Sequence, residues 1–388
     1  MTDLLLCDLA PYRYSTRTRK VAAAMSERLD TVEAITLARV GRVGMEDVPG
    51  STLIDGVRVK QLPTRRLDDN RTFVASIRNI LFVYVPALIL LRREVARTQA
   101  GTIFVGHVSL FWIGLAHQRK WASRVVISGR ERPGAVRTKG SLATWFSRIE
   151  PALLRYFSRR HKFAVVAVCE SHAEQFRELG VEEVVVVRNV PSASFVQRFS
   201  TPPGGDELIV ALVGSLYPGR GIEALIRAVV IAQSRGARVR LNITGHAGES
   251  YLDSLRALIE QLEARPFVAL LGPCSPKDVA LRYQEAHVGT ALYEATDKAN
   301  DSLSNKLFES VVSGRPVIAG NLPENSKVIA SHNIGWTSAV TPDSLSDLLT
   351  VLARDIESVR QKASHCYQVG QQHFVWEREV SRLESIMP

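Results

Sequence analysis

The sequence predicts an α/β protein built from two doubly wound domains, each a mostly parallel sheet with helices on both faces. Short apolar, β-branched runs alternate with amphipathic helical stretches along most of the chain, which is typical of buried parallel strands joined by helices. At 388 residues the chain is too long for one compact core of ordinary size. A Pro- and Gly-rich stretch without periodicity, "FSTPPGGDE", interrupts the alternation. We therefore predict a first domain over 1–198, a linker over 199–207 and a second domain from 208 onward.

The apolar runs and the amphipathic stretches between them define the predicted elements. In the first domain, strands are expected at 4–9, 32–37, 57–62, 102–106, 124–128, 163–168 and 183–187. Helices are expected there at 17–29, 73–97, 109–120, 141–160 and 171–179. In the second domain, strands are expected at 208–214, 239–245, 267–272, 288–293 and 316–320. Its helices are expected at about 221–234, 250–263, 276–286, 304–313 and across 343–386. Ligands of such domains bind at the carboxyl ends of the strands, so the loops that follow strands are the places to search for function.

Composition and cysteine spacing narrow the class of protein. Charged residues make up 23% of the chain and apolar residues 46%, the balance of a soluble globular protein. The cysteines lie far apart and form no CxxC pair, which favours free thiols in a reducing compartment over disulfides or a zinc site. The apolar run at the N-terminus is too short for a signal peptide and carries an acid where a cationic region would stand. We therefore expect a cytoplasmic protein.

The net charge of +10 is concentrated in the first half of the chain. Residues 1–200 hold 31 Lys and Arg against 18 Asp and Glu, whereas residues 201–388 hold 18 against 21. A basic half indicates nucleic acid, an anionic membrane surface or a phosphate-bearing substrate as partner. Because no zinc-finger spacing, RRM signature or aromatic-rich basic stripe is present, we expect no nucleic acid and favour the other two.

The stretch "DSLSNKLFESVVSGRPVI" (301–318) predicts a short helix that begins at an anion site. Ser304 is a good N-cap, and Gly314 followed by Pro316 ends the helix, so it is expected at 304–313. The first-turn amides near Lys306 and Leu307 are expected to face an anion.

The polar side chains of the same stretch suit a nucleotide sugar. Lys306 adds a positive charge beside the amides, and Glu309 can accept hydrogen bonds from vicinal hydroxyls such as those of a ribose. Asp301, in the preceding loop, could hold sugar hydroxyls. The alternative is a Lys306–Glu309 surface pair at i,i+3 spacing, worth a few tenths of a kcal/mol.

A second loop, in "ALVGSLYPGRGIEALIRA" (211–228), has the composition of a phosphate-binding turn. A predicted strand ends at Gly214, and Gly219 and Gly221 flank Arg220 just before a helix. Glycines let backbone amides approach a phosphate, and an arginine can grip it in a fork geometry. The alternative is an ordinary connection with an exposed arginine. The spacing matches neither G-x-G-x-x-G nor a Walker A loop, so dinucleotide and P-loop chemistry are not indicated.

These two loops together resemble those of the retaining GT-B glycosyltransferases of family 4, the glycosyl transferases group 1. The motifs are "GSLYPGRGIEALIRA" and "SLSNKLFESVVSGRPVIAG". In the first domain, "STRTRKVAAAMSERLDTVEAITL" and "RIEPALLRYFSRRHKFAVVAVCESHAEQF" are also similar to the family, as is the terminal "FVWEREVSRL". The resemblance implies two Rossmann-like domains facing across a cleft. Residues 1–198 would bind the acceptor, residues 208–370 the nucleotide sugar, and a helix in 371–388 would cross back to the first domain.

The resemblance also implies roles for particular residues. Glu309 falls on the acid that holds the nucleotide ribose, and Asp301, where Glu is usual, on the acid facing the donor sugar. Arg220 falls on the basic residue that clamps the diphosphate. Ser215 stands where a second clamp arginine is usual, and Lys306 is expected to supply the missing charge. Arg220, Lys306 and Asp301 are thus the expected catalytic residues, and no metal or other cofactor is expected. The expected donor-binding residues are Gly214, Ser215, Gly219, Gly221, Gly245, Pro273, Cys274, Ser304, Asn305, Leu307 and Glu309.

The acceptor side is expected in the first domain. His107 closes a predicted strand, where it would contact a sugar or simply be a satisfied histidine. Glu131 lies in "SGRER", where relatives carry Asp-x-His-Glu, and is expected to contact the acceptor. Arg13, Arg17 and Arg19 follow the first strand and suit an anionic acceptor; a solvated helix start is the alternative, although cations there oppose the helix dipole.

An uncharged run of 13 residues, 79–91, is too short to span a bilayer. Arginines bracket it, and Pro86 is expected to kink it. We expect a helix that packs on the sheet beside a basic, membrane-facing surface, peripheral on the inner face of the plasma membrane.

The expected function is transfer of a sugar from a nucleotide-diphosphate sugar to a hydroxyl acceptor with retention of configuration. The acceptor would be a saccharide or an anionic lipid-linked molecule, in cell-envelope polysaccharide, glycolipid or secondary-metabolite glycoside synthesis. A sugar-nucleotide 2-epimerase of the same fold and a non-catalytic GT-B partner subunit are the alternatives.

Overall fold

A computed structural model describes residues 1–38, 48–64, 80–134, 141–294 and 303–387. The chain divides into two compact units. The first comprises Met1–Arg188 together with Val380–Pro388, and the second comprises Asn189–Glu379.

The stretch predicted as a linker, 199–207, lies within the second unit. Buried or half-buried side chains of that unit hold its carbonyl groups: Arg315 donates to Ser200, and both His287 and Arg360 donate to Pro203. The division therefore falls before Asn189 rather than before 199, because this Pro- and Gly-rich stretch is fixed by hydrogen bonds that its composition does not reveal.

The first unit contains a sheet of eight described strands in the order β3-β4-β2-β1-β5-β6-β7-β8. The strands are β1 Thr2–Asp8, β2 Val32–Leu37, β3 Gly50–Ile54, β4 Val57–Leu62, β5 Ala100–Val105, β6 Arg124–Gly129, β7 Ala164–Ala167 and β8 Glu183–Val186. Every pairing is parallel except that of β3 with β4, a hairpin whose turn residues Asp55 and Gly56 both have positive φ. The helices are α1 Thr16–Ser26, α2 Val85–Val95, α3 Phe111–Trp121, α4 Ser141–Ser158 and α5 Glu170–Glu178.

The second unit contains a parallel sheet of six described strands in the order β11-β10-β9-β12-β13-β14. They are β9 Leu208–Val213, β10 Val239–Thr244, β11 Val268–Gly272, β12 Val288–Ala291, β13 Val317–Gly320 and β14 Gly335–Ser338. The helices are α6 Ile222–Ser234, α7 Glu249–Gln261, α8 Val279–Gln284, α9 Asn305–Val312, α10 Pro323–His332, α11 Pro342–Arg354 and α12 Ile356–His373. A last helix, α13 Trp376–Glu384, begins in this unit, and the chain from Val380 onward belongs to the first.

In both sheets the strand order reverses beside the first strand of the unit. In the first unit β2 lies on one side of β1 and β5 on the other; in the second unit β10 and β12 flank β9 in the same way. Ligands of doubly wound domains bind at such a switch point, outside the carboxyl ends of the strands. The loops that follow β1, β5, β9 and β12 are therefore the candidate binding loops.

Each sheet has its own apolar core. The β-branched and leucine side chains of the central strands are fully buried, for example Leu5 and Ile103 in the first unit and Val210 and Ile243 in the second. The α/β class predicted from alternating apolar runs is thereby confirmed. Three elements were not predicted: the edge strand β3, the helix α10 and the strand β14. Among the described helices, none combines the length and apolarity that a bilayer crossing requires.

Candidate active site

The glycine loop after β9 is packed against its neighbour strand so closely that only glycine fits. The Gly214 amide donates to the Thr244 carbonyl (2.9 Å), and a Cβ on Gly245 would lie 1.7 Å from the Gly214 oxygen. Gly221, the N-cap of α6, has φ 63°, and a Cβ there would meet Val340 at 2.4 Å. Gly219 has φ 87°. The loop is therefore fixed in a conformation that needs residues without side chains.

Arg220, in this loop, is buried, and no carboxylate of the described residues pairs with it. It is 5% exposed, and its guanidinium carbon lies 4.6 Å from the ring centre of Tyr293 and 5.5 Å from that of Tyr217. Its Nε is buried and makes no hydrogen bond within the described residues. The two rings stabilise the cation through their π faces, and its buried Nε is left without an acceptor among the described residues. An arginine held in this way is poised to bind an anion.

Tyrosine side chains connect Arg220 to the helix α9. The Tyr293 hydroxyl hydrogen-bonds with the side chains of Ser304 and Tyr217. Burial raises the pKa of Tyr283 well above its ordinary value, nearby Glu309 raises it further, and Arg220 lowers it. Charges act on one phenol in this way only over short range. The charges of Arg220 and Glu309 therefore both act on the same buried tyrosine.

Lys306 lies across the end of β9. A Cβ on Gly214 would be 2.5 Å from the Lys306 Cε and 2.9 Å from its Nζ, so the lysine stem occupies the space that glycine leaves free. The Lys306 Nζ donates to Glu309 Oε2 (2.8 Å), and both side chains are 20% exposed. The i,i+3 pair considered from the sequence does form. It is partly buried at the strand end rather than on an open helix face.

The N-terminus of α9 is capped as predicted. The Ser304 Oγ accepts from the Lys306 amide (3.3 Å), and the Ser304 carbonyl accepts from the Leu307 amide (3.2 Å). Ser304 is itself held by Asn325, whose Oδ1 accepts from the Ser304 amide (3.3 Å). The two amides expected to face an anion thus make long local hydrogen bonds, and a ligand would have to compete with the cap.

The remaining donor-side residues are distributed as follows. Ser215, Pro273 and Asn305 are exposed, and Cys274 is half-buried near Tyr283. The Leu307 side chain is fully buried in the core, so only its backbone could reach a ligand. Asp301 lies outside the described residues.

In the first unit, the three arginines after β1 do not behave alike. Arg13 and Arg19 are exposed, and the Arg19 Nη1 donates to the Arg13 carbonyl (3.2 Å). Arg17 is 3% exposed and its Nη2 donates to the Val187 carbonyl (2.9 Å). The Arg17 guanidinium is buried and ties α1 to the residue after β8, so a contact with an acceptor stays a prediction for this arginine.

His107 and Glu131 follow the ends of β5 and β6. The His107 Nδ1 accepts from the Ser109 amide (3.1 Å), which caps the short helix at Val108–Leu110 and leaves the proton of a neutral ring on Nε2. The alternative of a histidine that is hydrogen-bonded within the protein therefore holds for its Nδ1. Glu131 is half-buried and lies near Glu150, whose pKa is raised by burial and further by the Glu131 charge.

A buried carboxylate at the switch point of the first sheet was missed by the sequence analysis. Asp8, 1% exposed, ends β1 and accepts from Ser15 and from the Thr18 Oγ1 (2.6 Å). The Arg130 Nη2 lies 3.3 Å from it and donates to the Gly106 carbonyl (2.7 Å). Burial alone would raise the pKa of Asp8, but the Arg130 charge and these hydrogen bonds hold it below its ordinary value. The available signal was an acid at the carboxyl end of an apolar strand.

Comparisons with known proteins bear on the whole fold and on the second unit. Residues 194–368, just under half of the chain, match the family model described as glycosyl transferases group 1. Over its full length the chain resembles Anabaena HepE in complex with UDP-glucose, with a TM-score of 0.67 at 15% identity, covering 99% of this chain and 100% of that one. It also resembles sucrose-phosphate synthase from Thermosynechococcus elongatus, with a TM-score of 0.71 at 13% identity, covering 100% and 98%. The chain has the GT-B fold.

A curated relative matches part of this GT-B chain. The D-inositol 3-phosphate glycosyltransferase of Corynebacterium aurimucosum is 29% identical over 192 residues, which are 46% of this chain and 42% of the relative. The match thus spans less than half the length of each protein. The segment that matches the group 1 model contains Arg220, Lys306 and Glu309, so these three candidate site residues lie inside the matched part of the chain.

Proposed function

We propose that the protein is a retaining glycosyltransferase that moves a sugar from a nucleotide-diphosphate sugar to a hydroxyl acceptor. The observation that carries the proposal is Arg220, a buried cation between two tyrosine rings whose Nε has no hydrogen-bond partner among the described residues. Leaving a buried N–H of a charged group unsatisfied costs free energy that an anionic ligand would recover.

The diphosphate would be held by two cations and the glycine loop. Arg220 would donate to phosphate oxygens in its fork geometry. Lys306 crosses Gly214, directly before Ser215, the position at which the family resemblance predicts a second arginine, so its ammonium group would replace the missing charge.

The nucleoside would extend toward Glu309 and the loop after β11. The Lys306 Nζ donates to Oε2 of Glu309, and Oε1 of Glu309 makes no hydrogen bond within the described residues. That oxygen is available to a ribose hydroxyl. The half-buried Cys274 and the exposed Pro273 would border the base.

The reaction would proceed on one face of the sugar. The bond between C1 and the diphosphate oxygen breaks, the acceptor oxygen bonds C1 on the same face, and the hydroxyl proton passes to the departing phosphate oxygen. Negative charge grows on the diphosphate, and Arg220 and Lys306 stabilise it. In this proposal protein cations meet the charge rather than a metal ion, so added chelator should leave turnover unchanged.

The comparisons support this chemistry. The GT-B structure of Anabaena HepE was solved with UDP-glucose, and the curated relative is named for glycosyl transfer to an inositol phosphate. The acceptor of this chain would be a saccharide or an anionic lipid-linked molecule bound by the first unit. Arg13 and Arg19, both exposed after β1, are the cations that such an acceptor would meet there.

The test compares nucleotides with their nucleosides. Thermal melting is measured with UDP, GDP, ADP and TDP, each beside its nucleoside; a ligand at a hundred times its dissociation constant stabilises by about 2.7 kcal/mol. Arg220→Gln should weaken binding of the preferred nucleoside diphosphate by about 1.5–3 kcal/mol and leave the nucleoside unaffected. Arg227→Gln, an exposed arginine on the following helix, is the matched control.

Turnover with the preferred donor distinguishes the alternatives. Transfer of the sugar to an acceptor with retention of the anomeric configuration supports the proposal. Release of free sugar from the donor alone would instead indicate a 2-epimerase. Failure of every nucleotide to raise the melting temperature would favour a non-catalytic partner subunit.

A further inference from the structure

One helix of the first unit presents apolar side chains to solvent on the face opposite the core. A π-helical turn, Ile80–Tyr84, continues into α2 with Pro86 in its first turn. One face of α2 is buried through Ala87, Leu91 and Val95.

The outer face of the same helix is also apolar. Phe82, Val85 and Ile89 are 56%, 41% and 62% exposed. Val85 and Ile89 are four residues apart and lie on one side of α2, and Phe82 is exposed in the π-helical turn that leads into it. A surface helix ordinarily has polar residues on that side, so a contiguous exposed apolar stripe marks a surface that another body covers.

The last turn of the helix adds positive charge to that stripe. Arg92 and Arg93, both exposed, continue its line at the next turn. The acid of this turn, Glu94, is 11% exposed and is neutralised by Lys60 (2.5 Å) and Arg97 (2.6 Å). Favourable interaction with the helix dipole explains arginines in a last turn, but it does not explain the exposed apolar residues before them.

We propose that the face formed by Phe82, Val85, Ile89, Arg92 and Arg93 docks on an anionic phospholipid bilayer. Apolar side chains would enter the boundary between headgroups and acyl chains, and the arginines would remain at the phosphates. Trp112 lies beside this face, its ring centre 6.0 Å from the Arg92 guanidinium carbon, and tryptophan favours the headgroup level. Charge decides between a membrane and another protein, because every exposed charged side chain described on this face is an arginine.

The experiment measures binding of the full chain to sedimented vesicles of phosphatidylcholine with about 30% phosphatidylglycerol, and to phosphatidylcholine alone. The native protein should bind the anionic vesicles and bind the neutral ones more weakly. Ile89→Glu should lower the partition coefficient at least about tenfold. Arg92→Gln and Arg93→Gln should each lower it about fivefold at low salt and by less at high salt.

A matched control is available in the second unit. Val351, on α11, is 61% exposed, so Val351→Glu introduces the same charge at the same exposure and should leave vesicle binding unchanged. An equal loss of vesicle binding in Ile89→Glu and Val351→Glu would overturn the proposal. Equal binding of the native protein to neutral and anionic vesicles would also overturn it. So would a native dimer in sedimentation that Ile89→Glu dissociates without any vesicle binding, because a second copy would then cover the face. Vesicle binding needs neither donor nor acceptor, so its failure leaves the proposed transfer reaction unaffected.

Discussion

Arg315 is predicted to be the most costly single side chain to remove from the second unit. It is fully buried, and burial lowers its pKa to about 10, which leaves it charged at neutral pH. Its guanidinium meets no carboxylate among the described residues; it donates instead to carbonyls and one hydroxyl. The acceptors are the carbonyls of Ala286, Gln284, Ser200, Thr201 and Gly314 and the hydroxyl of Ser200, at 2.6 to 3.3 Å.

The expected loss of unfolding free energy follows from the number of carbonyl acceptors that each variant leaves without a donor. Arg315→Met removes every donor and leaves five carbonyls without a hydrogen-bond partner, at about 1 kcal/mol each. Because no charge has to be buried in the variant, part of this cost is offset, and we expect the free energy of unfolding to fall by about 3–5 kcal/mol. Arg315→Lys keeps the charge but has three donors in a different geometry, so about half of that loss is expected.

The assay is urea unfolding followed by tryptophan fluorescence, with Arg227→Met as the control for removing an exposed arginine from the same unit. Arg315→Met as stable as the control would refute the reasoning, since the hydrogen bonds would then contribute nothing net. A lysine variant as stable as the native protein would show that charge alone, and not the planar fork, fixes this segment.

Two further predictions concern the strand ends and the pH dependence of folding. Gly245→Ala should destabilise the protein by about 3 kcal/mol and abolish nucleotide-dependent melting shifts, because its Cβ would collide with the backbone of Gly214. Gly204→Ala, where a Cβ meets nothing within 4 Å, should change stability by less than about 0.5 kcal/mol. His287 is fully buried, burial lowers its pKa to about 4, and its ring bonds backbone groups through both nitrogens. The unfolded chain binds the proton from about pH 6.5 downward while the folded chain does not, so stability should fall by about 3 kcal/mol between pH 6.5 and 4. His287→Asn should be less stable at pH 7 with a shallower slope over that window; identical slopes would contradict the assignment.

The fold was predictable because its central strands are buried on both faces and other strands alternate between buried and exposed residues. The apolar run at 32–37 coincides with β2, and the alternating run at 57–62 coincides with β4, whose Arg58 and Lys60 are exposed. The edge strand β3 was missed because four of its five residues are exposed and carry no apolar alternation. The strand β14 is short, and its Gly, Thr and Ser residues resemble a loop. Local patterns identify buried elements, whereas elements that depend on pairing with an edge give little signal.

The site was predictable only where chemistry is carried by consecutive residues. Lys306 and Glu309 share one helix, and Arg220 is marked by its glycines. Three arginines after β1 look equivalent in sequence, yet Arg17 is buried against a carbonyl 170 residues away. Asp8 was missed for the same reason, since its partner Arg130 follows a different strand.

The tyrosines around Arg220 link these separate motifs. A buried cation without a carboxylate is costly, and cation–π contacts recover only part of the free energy that water would supply. A carboxylate in place of Tyr293 would stabilise Arg220 better, but it would also occupy the N–H groups that a phosphate needs. Tyr293 instead faces the guanidinium with its ring and uses its hydroxyl on Ser304, the cap of α9. The arrangement therefore links Arg220 to the start of α9, while the Arg220 Nε keeps no acceptor among the described residues. The proposed anion-binding role requires such a cost, whereas a structural ion pair would include a carboxylate.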